Sequence, residues 1–248
     1  MLILGIDVGG TGIKAAIVET TSGELQSERI RIETPQPANP ENIGKTLQTL
    51  IKQFQWSGPV GIGFPAAIQH GVVRTAANID AAFIGLPLAN YFSELISCPT
   101  YIANDADVAG LAEMRFGAGK DNSGVVLIVT IGTGLGTALF SGGQLLPNTE
   151  LGHVILENGM EAEKYASESV RITQELKWKE WGTRFSLYLN TMENLFWPDL
   201  IILGGGVSKK LEKFAPLITT KAPVVAASYL TQAGIVGAAL FAESELKK

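Results

Sequence analysis

Three short stretches of the 248-residue sequence set reactive side chains beside glycines. In LGIDVGGTGIK, residues 4–14, Asp7 and Lys14 flank Gly9, Gly10, Thr11 and Gly12. Glycines let backbone N–H groups approach a ligand directly, so this turn suits an anion such as a phosphate. It equally suits a plain hairpin reversal, because the IKAAIV that follows is β-branched at Ile13, Ile17 and Val18 and stops at the turn-like TTSGE. Phosphoryl donors travel with Mg2+, which keeps several waters and takes one or two carboxylates; Asp7, at a strand end, is placed to hold such a hydrated ion, and Lys14 to add an ammonium. In ANDADVAGLAEMRFG, Asn104 is an N-cap residue followed by Asp105 and Asp107. A helix dipole keeps a first-turn carboxylate ionised and able to take a proton from a hydroxyl, which makes Asp105 the first candidate base and Asp107 its competitor. Helix-start stabilisation alone accounts for both acids equally well. In TELGH, Glu150 and His153 stand three apart around a glycine, a mixture that fits sugar hydroxyls or else describes a surface glutamate beside a satisfied core histidine.

These residues need strands and helix ends to hold them. Residues 125–140, VVLIVTIGTGLGTALF, repeat the opening pattern, with Gly132, Thr133, Gly134 and Gly136 echoing Gly9, Gly10, Thr11 and Gly12. Two strand–turn–strand units of one kind suggest two related domains facing each other with a phosphate between them. A third glycine turn, LIILGGGVSK at 200–209, follows an apolar strand and leads into a predicted helix over about Ser208–Leu217, whose N-terminus offers N–H groups and dipole attraction to an anion. Lys209 and Lys213 fall four apart on that helix, like charges that an anion would relieve; Glu212, three from Lys209, relieves part of this too, so a merely exposed basic face fits equally well. Pro35, Pro37 and Pro40 mark a loop before an amphipathic helix from about Glu41 to Phe54. The GKT at Gly44–Thr46 lies inside that helix and is no Walker loop, since the required first glycine would be Asn39. Trp178, Trp181, Phe185, Leu189, Met192 and Phe196 recur at helical spacing, which describes core or a dimer face and not a stacking platform. Lys164 with Glu168, Arg171 with Glu175 and Glu180 with Arg184 are four apart, a solvated ion-paired face and not a polyanion track.

Composition narrows the classes. With 46% hydrophobic and 17% charged residues and a formal charge of −5, the chain reads as globular, with no nucleic-acid or membrane-surface partner. The apolar MLIL is interrupted by Gly5 and Asp7 too early for a signal peptide or membrane span. One cysteine, Cys98, excludes an internal disulfide and a multi-cysteine zinc site, and a cytoplasmic address is expected.

In this order, GIDVGGTGIK, IANDADVAGLAE, TIGTGLGTAL, TELGH and LGGGVSK resemble the ROK family of sugar kinases; PNTELGH, AEKYAS, WKEW and AGIVGAAL resemble its polyphosphate glucokinase subgroup. The resemblance implies an actin/hexokinase-like (ribonuclease H-like) α/β fold, duplicated as two domains around a central cleft. Its domains would be 1–105 and 106–233, with a C-terminal helix within 234–248 packing back on the first. It implies transfer of a terminal phosphoryl group from polyphosphate, with ATP as a further donor, to the 6-hydroxyl of glucose. A strictly ATP-dependent hexose kinase of the same family is the nearest alternative. A sugar-sensing repressor is the remote one; such proteins carry a DNA-binding domain ahead of the glycine stretch, which here starts at residue 4.

Residue by residue, the resemblance implies Asp105 as the base and Asn104, Glu150 and His153 as sugar contacts. GIGFPAAI and TAANID would line the sugar pocket through Gly63, Phe64, Pro65 and Asn78. Gly9, Gly10, Thr11, Gly12, Lys14, Gly132, Thr133, Gly134, Gly136, Gly205, Gly206 and Lys209 would hold donor phosphates, and Asp7 would hold Mg2+ through water. Many ROK proteins carry a cysteine-rich zinc motif after the G-H pair; here VILENGMEAEKYASESVR has no cysteine, so no structural zinc is expected. A homodimer is the expected assembly.

Overall fold

Residues on either side of the first glycine turn form an antiparallel hairpin, β1 (Leu2–Val8) and β2 (Ile13–Glu19), with Asp7 opposite Lys14. This is the strand–turn–strand unit that the β-branched residues predict. The computed structural model describes residues 1–77, 79–229 and 232–248, so the predicted pocket residue Asn78 lies outside the described residues. It divides into two units, Met1–Ala112 with Gln232–Lys248, and Glu113–Thr231.

In the first unit, β3 (Glu24–Leu25) and β4 (Ile30–Ile32) flank β2. Helix α1 (Pro40–Phe54) is capped by Asn39, whose side chain accepts from the Asn42 amide, and opens with Pro40. Gly44 lies within α1, where a Cβ would come 2.3 Å from Leu95, so the GKT glycine serves helix packing. Next come the fully buried β5 (Val60–Phe64) and a small hairpin, β6 (Ile68–Gln69) with β7 (Val72–Val73). Helix α2 (Leu88–Ile96), β8 (Thr100–Asn104) and α3 (Asp105–Phe116) follow. The sheet order is β3-β2-β1-β5-β8, with β1, β5 and β8 parallel.

The second unit repeats that plan. β9 (Val125–Ile131) and β10 (Leu135–Ser141) form the hairpin and β11 (Gln144–Leu146) continues it. Helices α4 (Ala162–Ala166), α5 (Glu168–Thr173) and α6 (Trp178–Phe196) precede β12 (Leu200–Gly205) and β13 (Val224–Ala226). Its order, β11-β10-β9-β12-β13, has the same hairpin followed by two parallel neighbours. Trp181, Phe185, Leu189 and Met192 of α6 are fully buried, as their helical spacing predicts. The last helix, α7 (Ala233–Leu246), returns to the first unit. It is apolar almost all round, and glycines bring it onto backbone: a Cβ on Gly5 would lie 2.1 Å from the Ile235 carbonyl oxygen, and one on Gly61 1.9 Å from that of Ala238.

Two local expectations change. The segment after GGG is not an α-helix over 208–217 but a 3-10 helix, Gly206–Lys213, bent at Lys210, followed by a second, Ala215–Leu217. Pro216 cannot donate to a continuing ladder, and Phe214 is drawn fully into the core, so Lys209 and Lys213 share no regular helix face. The ion-paired face of 162–184 also dissolves in part. Ser167 breaks the chain into α4 and α5 and caps the latter, so Lys164 pairs with Glu161 instead of Glu168. Helix α5 ends at Thr173 and Glu175 turns left-handed (φ 52°), which removes the Arg171–Glu175 spacing. Only Arg184–Glu180, on the continuous α6, forms as expected, at 3.8 Å.

Candidate functional site

In the first unit the C-terminal ends of the parallel strands carry the candidate residues, the usual place for ligands in such sheets. Asp7 on β1 is opposite Gly63 on β5, and Gly63 is opposite Ala103 on β8. Asn104 ends β8 and caps α3: its Oδ1 accepts from the amides of Ala106 (2.9 Å) and Asp107 (3.1 Å), while its amide donates to the Ala66 carbonyl (3.2 Å). That bond fastens the first turn of α3 to the segment after Pro65. Gly63 lets this turn close in, since a Cβ there would meet Val108 at 2.6 Å. The two acids then separate by environment. Asp107 is 1% exposed, whereas Asp105 is half-buried and so retains access to a ligand. Phe64 contributes its ring to the core, edge-on to Phe83 at 5.0 Å, which leaves only its backbone to a sugar.

The first glycine turn is closed by the Gly9 amide donating to the Gly12 carbonyl (3.2 Å) and held from outside by Thr34, whose hydroxyl donates to the Gly9 carbonyl. Arg31 donates to the Thr11 carbonyl at 2.8 Å and stands opposite Lys14 in the β2–β4 pairing. This second cation is a residue that sequence reasoning missed; only the edge-strand pairing brings it to the turn. Lys14 is bonded to Asp7 Oδ2 at 2.9 Å, so its ammonium and the carboxylate partly neutralise one another. A pocket of about 290 Å³ opens beside Gly9 and Gly10, walled by Thr34, Ile43, Ile79 and Asp80. Asp7 fits a hydrated Mg2+: it is a hard oxygen donor, and its Lys14 bond engages Oδ2 alone.

In the second unit, the turn after β9 is closed by the Gly132 amide on the Gly134 carbonyl (3.0 Å). Gly136 lies one residue into β10, paired with Thr130, and outside the turn. The start of α5 braces the turn: the Glu168 and Ser169 amides donate to the Gly132 carbonyl and the Ser169 hydroxyl to that of Thr133. Gly205, left-handed at φ 79°, sits against Ile131, where a Cβ would be 2.2 Å from its carbonyl oxygen, so the GGG loop with Gly206 lies beside this turn. Lys209 is exposed.

Glu150 and His153 come together at 3.7 Å around the short 3-10 helix Leu151–His153. Thr137 of β10 pins the segment by accepting from the Leu151 amide, and Gly152 permits its approach, since a Cβ would lie 2.2 Å from the Leu135 carbonyl oxygen. Two further carboxylates complete the cluster. Glu161 accepts from His153 Nδ1 and pairs with Lys164, and Glu163 accepts from the Leu135 amide at 3.1 Å. The bond to Glu161, ahead of opposing desolvation, raises the His153 pKa above the ordinary imidazole value. Desolvation raises that of Glu150, with His153 pulling the other way. Among the described residues, ligand atoms of His153, Glu161 and Glu163 lie within 4.8 Å of one another, yet each of these side chains is already engaged in a hydrogen bond. The sequence signal for Glu163 was present in AEKYAS, where it marked family membership and not a role; Glu161, one residue ahead of that motif, carried none.

The ROK family model matches residues 3–170. A polyphosphate glucokinase from Mycobacterium tuberculosis is 46% identical over 95% of this chain and 89% of the relative; that of Mycobacterium leprae is 44% identical over 98% of this chain and 75% of the relative. Among solved structures, the inorganic polyphosphate/ATP-glucomannokinase of Arthrobacter sp. strain KM superimposes with a TM-score of 0.94 at 40% identity, covering 100% of this chain and 99% of the other. A ROK glucokinase from Streptomyces griseus, in complex with glucose and AMPPNP, gives 0.84 at 25% identity over 98% and 100%. The fold is thus that of the ROK sugar kinases. No helix among the described residues is long and apolar enough to cross a membrane.

Proposed function

The chain belongs to the ROK family, and we infer that it is a polyphosphate glucokinase, transferring the terminal phosphoryl group of inorganic polyphosphate to the 6-hydroxyl of glucose. The observation that carries this is the near-full-length identity with the mycobacterial polyphosphate glucokinases. ATP is the further donor, a reading supported by the name of the Arthrobacter enzyme.

Asp105 is the base. Phosphoryl transfer is largely loose, so positioning and charge neutralisation do most of the work and an ordinary carboxylate suffices to take the hydroxyl proton late. Both acids lie in the first turn of α3, and its partial exposure favours Asp105 over the buried Asp107. Asn104, Glu150 and His153 bind the sugar, as do Gly63, Pro65 and the backbone of Phe64. The turns Gly9–Gly12 and Gly132–Gly134, with Gly205 and Gly206, take the donor phosphates through backbone amides, helped by the charge of Arg31. Asp7 would hold Mg2+ through water; the ion, when bound, neutralises charge on the transferring phosphoryl group. A cytoplasmic homodimer completes the reading.

The test is the formation of glucose 6-phosphate from glucose with either polyphosphate or ATP. Turnover with both is expected. Turnover with ATP alone would make the chain a strictly ATP-dependent hexose kinase, and turnover with neither would remove the activity.

A further inference from the structure

Around Trp178 three cations converge: the Arg171 guanidinium is 4.3 Å from the ring centroid, and the ammonium groups of Lys210 and Lys213 are each 5.7 Å from it. None of the three has a carboxylate oxygen within 4.0 Å among the described residues, and the Arg171 Nε is buried with no hydrogen-bond partner. Like charges gathered without a counterion repel, and an indole face offsets that repulsion only weakly at exposed sites. The missing component is an anion. We propose that Arg171, Lys210 and Lys213, mounted on Trp178, bind the polyphosphate chain beyond its reacting end. This rests on polyphosphate being the donor.

The location follows from local connections. Arg171 is on α5, whose first residues are bonded to the Gly132–Gly134 turn. Lys210 and Lys213 are on the bent 3-10 segment that begins directly at the GGG loop, and both ammonium groups reach the Trp178 ring from it. The bend at Lys210 leaves Lys209 out of the set of cations over the ring. A chain held at the two glycine turns therefore continues toward this cluster along either segment.

The chemistry selects a polyanion over a nucleobase. Trp178 has Arg171 over its ring, Phe214 parallel to it at 6.0 Å and Trp181 edge-on at 5.7 Å, so the indole is packed as a support for cations. Successive unspecific charges match a donor that has no base and many more phosphates than the three of ATP.

The test is a Lys210→Ala/Lys213→Ala variant. Both side chains are exposed, so the fold should survive. KM is measured for long-chain polyphosphate, tripolyphosphate, ATP and glucose, at low and high salt. The expected result is a several-fold rise in KM for the long chain with a flatter salt dependence, and unchanged values for the other three. In the parent, long-chain polyphosphate should also change the indole fluorescence, a change lost in Trp178→Phe. If the parent uses polyphosphate and the double variant handles the long chain as the parent does, the site is refuted while the donor stands. An equal rise for tripolyphosphate would also refute it, by placing the lysines at the reacting end. A parent active with ATP and inert with polyphosphate would instead refute the donor.

Discussion

The Nδ1–H of His153 donates to Oε1 of Glu161, whose other oxygen is held by Lys164. An acceptor on Nδ1 fixes the ring and directs Nε2 to the Glu150 side, where a sugar hydroxyl would be bound. The pair also shifts both groups. Glu161 raises the imidazole above its ordinary 6.5, while Lys164 first and His153 second lower the Glu161 carboxyl below its ordinary 4.5. For His153 the stabilisation is complete below pH 6.5 and is lost as pH climbs through the raised value; for Glu161 it is present above pH 4.5 and is lost as pH falls through the lowered one.

Glu161→Gln should therefore bring the His153 pKa back toward its ordinary value and raise KM for glucose several-fold, with KM for polyphosphate unchanged. NMR titration of the imidazole and steady-state kinetics read these separately. A titration curve that coincides with the parent's would show that Glu161 does not set the ring's protonation.

Asp105→Asn keeps the shape at the first turn of α3 but cannot take a proton. Its kcat should fall by about 100-fold or more, while glucose affinity stays within about tenfold. A variant retaining a tenth of parental kcat would move the base elsewhere, with Asp107 next despite its burial.

Gly237→Ala probes the seat of α7. The added Cβ would lie 1.5 Å from the Val108 carbonyl oxygen, backbone against backbone, which no side-chain rotation relieves. About 3 kcal/mol should be lost, the upper part of the overpacking range, or roughly 6–12 °C in Tm. Gly10→Ala is the contrast: its Cβ would meet nothing within 4 Å, so Tm should hardly move while donor KM rises. Equal Tm values for the two variants would refute this account of α7.

The sequence made the hairpins legible because β-branched runs around glycines have few other ways to fold, and it made α1 and α6 legible through capping and apolar period. It also showed the duplication, since both turns recur with threonine. What it hid depended on pairing and chain breaks. Arg31 reaches the first turn only because β4 pairs with β2. Arg171 leaves its i+4 partner because α5 stops at Thr173, and Lys210 stands over Trp178 with Lys213 on a segment that bends at Lys210 instead of continuing as a helix. Glu161 meets His153 across eight residues of irregular chain, a contact that no periodicity encodes.

Asp7 sits at the centre of the last expectation. Lys14 engages its Oδ2 at 2.9 Å, and Gly234 packs so closely that a Cβ would come 2.9 Å from Oδ1. The carboxylate is thus held in one orientation by a cation on one side and a helix start on the other, an arrangement that suits outer-sphere contact to a hydrated ion better than direct encirclement. Activity should vanish on chelation and return with Mg2+ and not with Zn2+ alone. Asp7→Asn keeps the hydrogen-bonding shape but loses the charge, so the Mg2+ concentration for half-maximal rate should rise about tenfold or more, an ordinary outcome when a charged ligand's partner is removed. Saturating Mg2+ should restore part of the rate. If Asp7→Asn instead shows the parental Mg2+ dependence with a uniformly lower kcat, Asp7 acts through Lys14 alone and the ion is held by the donor phosphates.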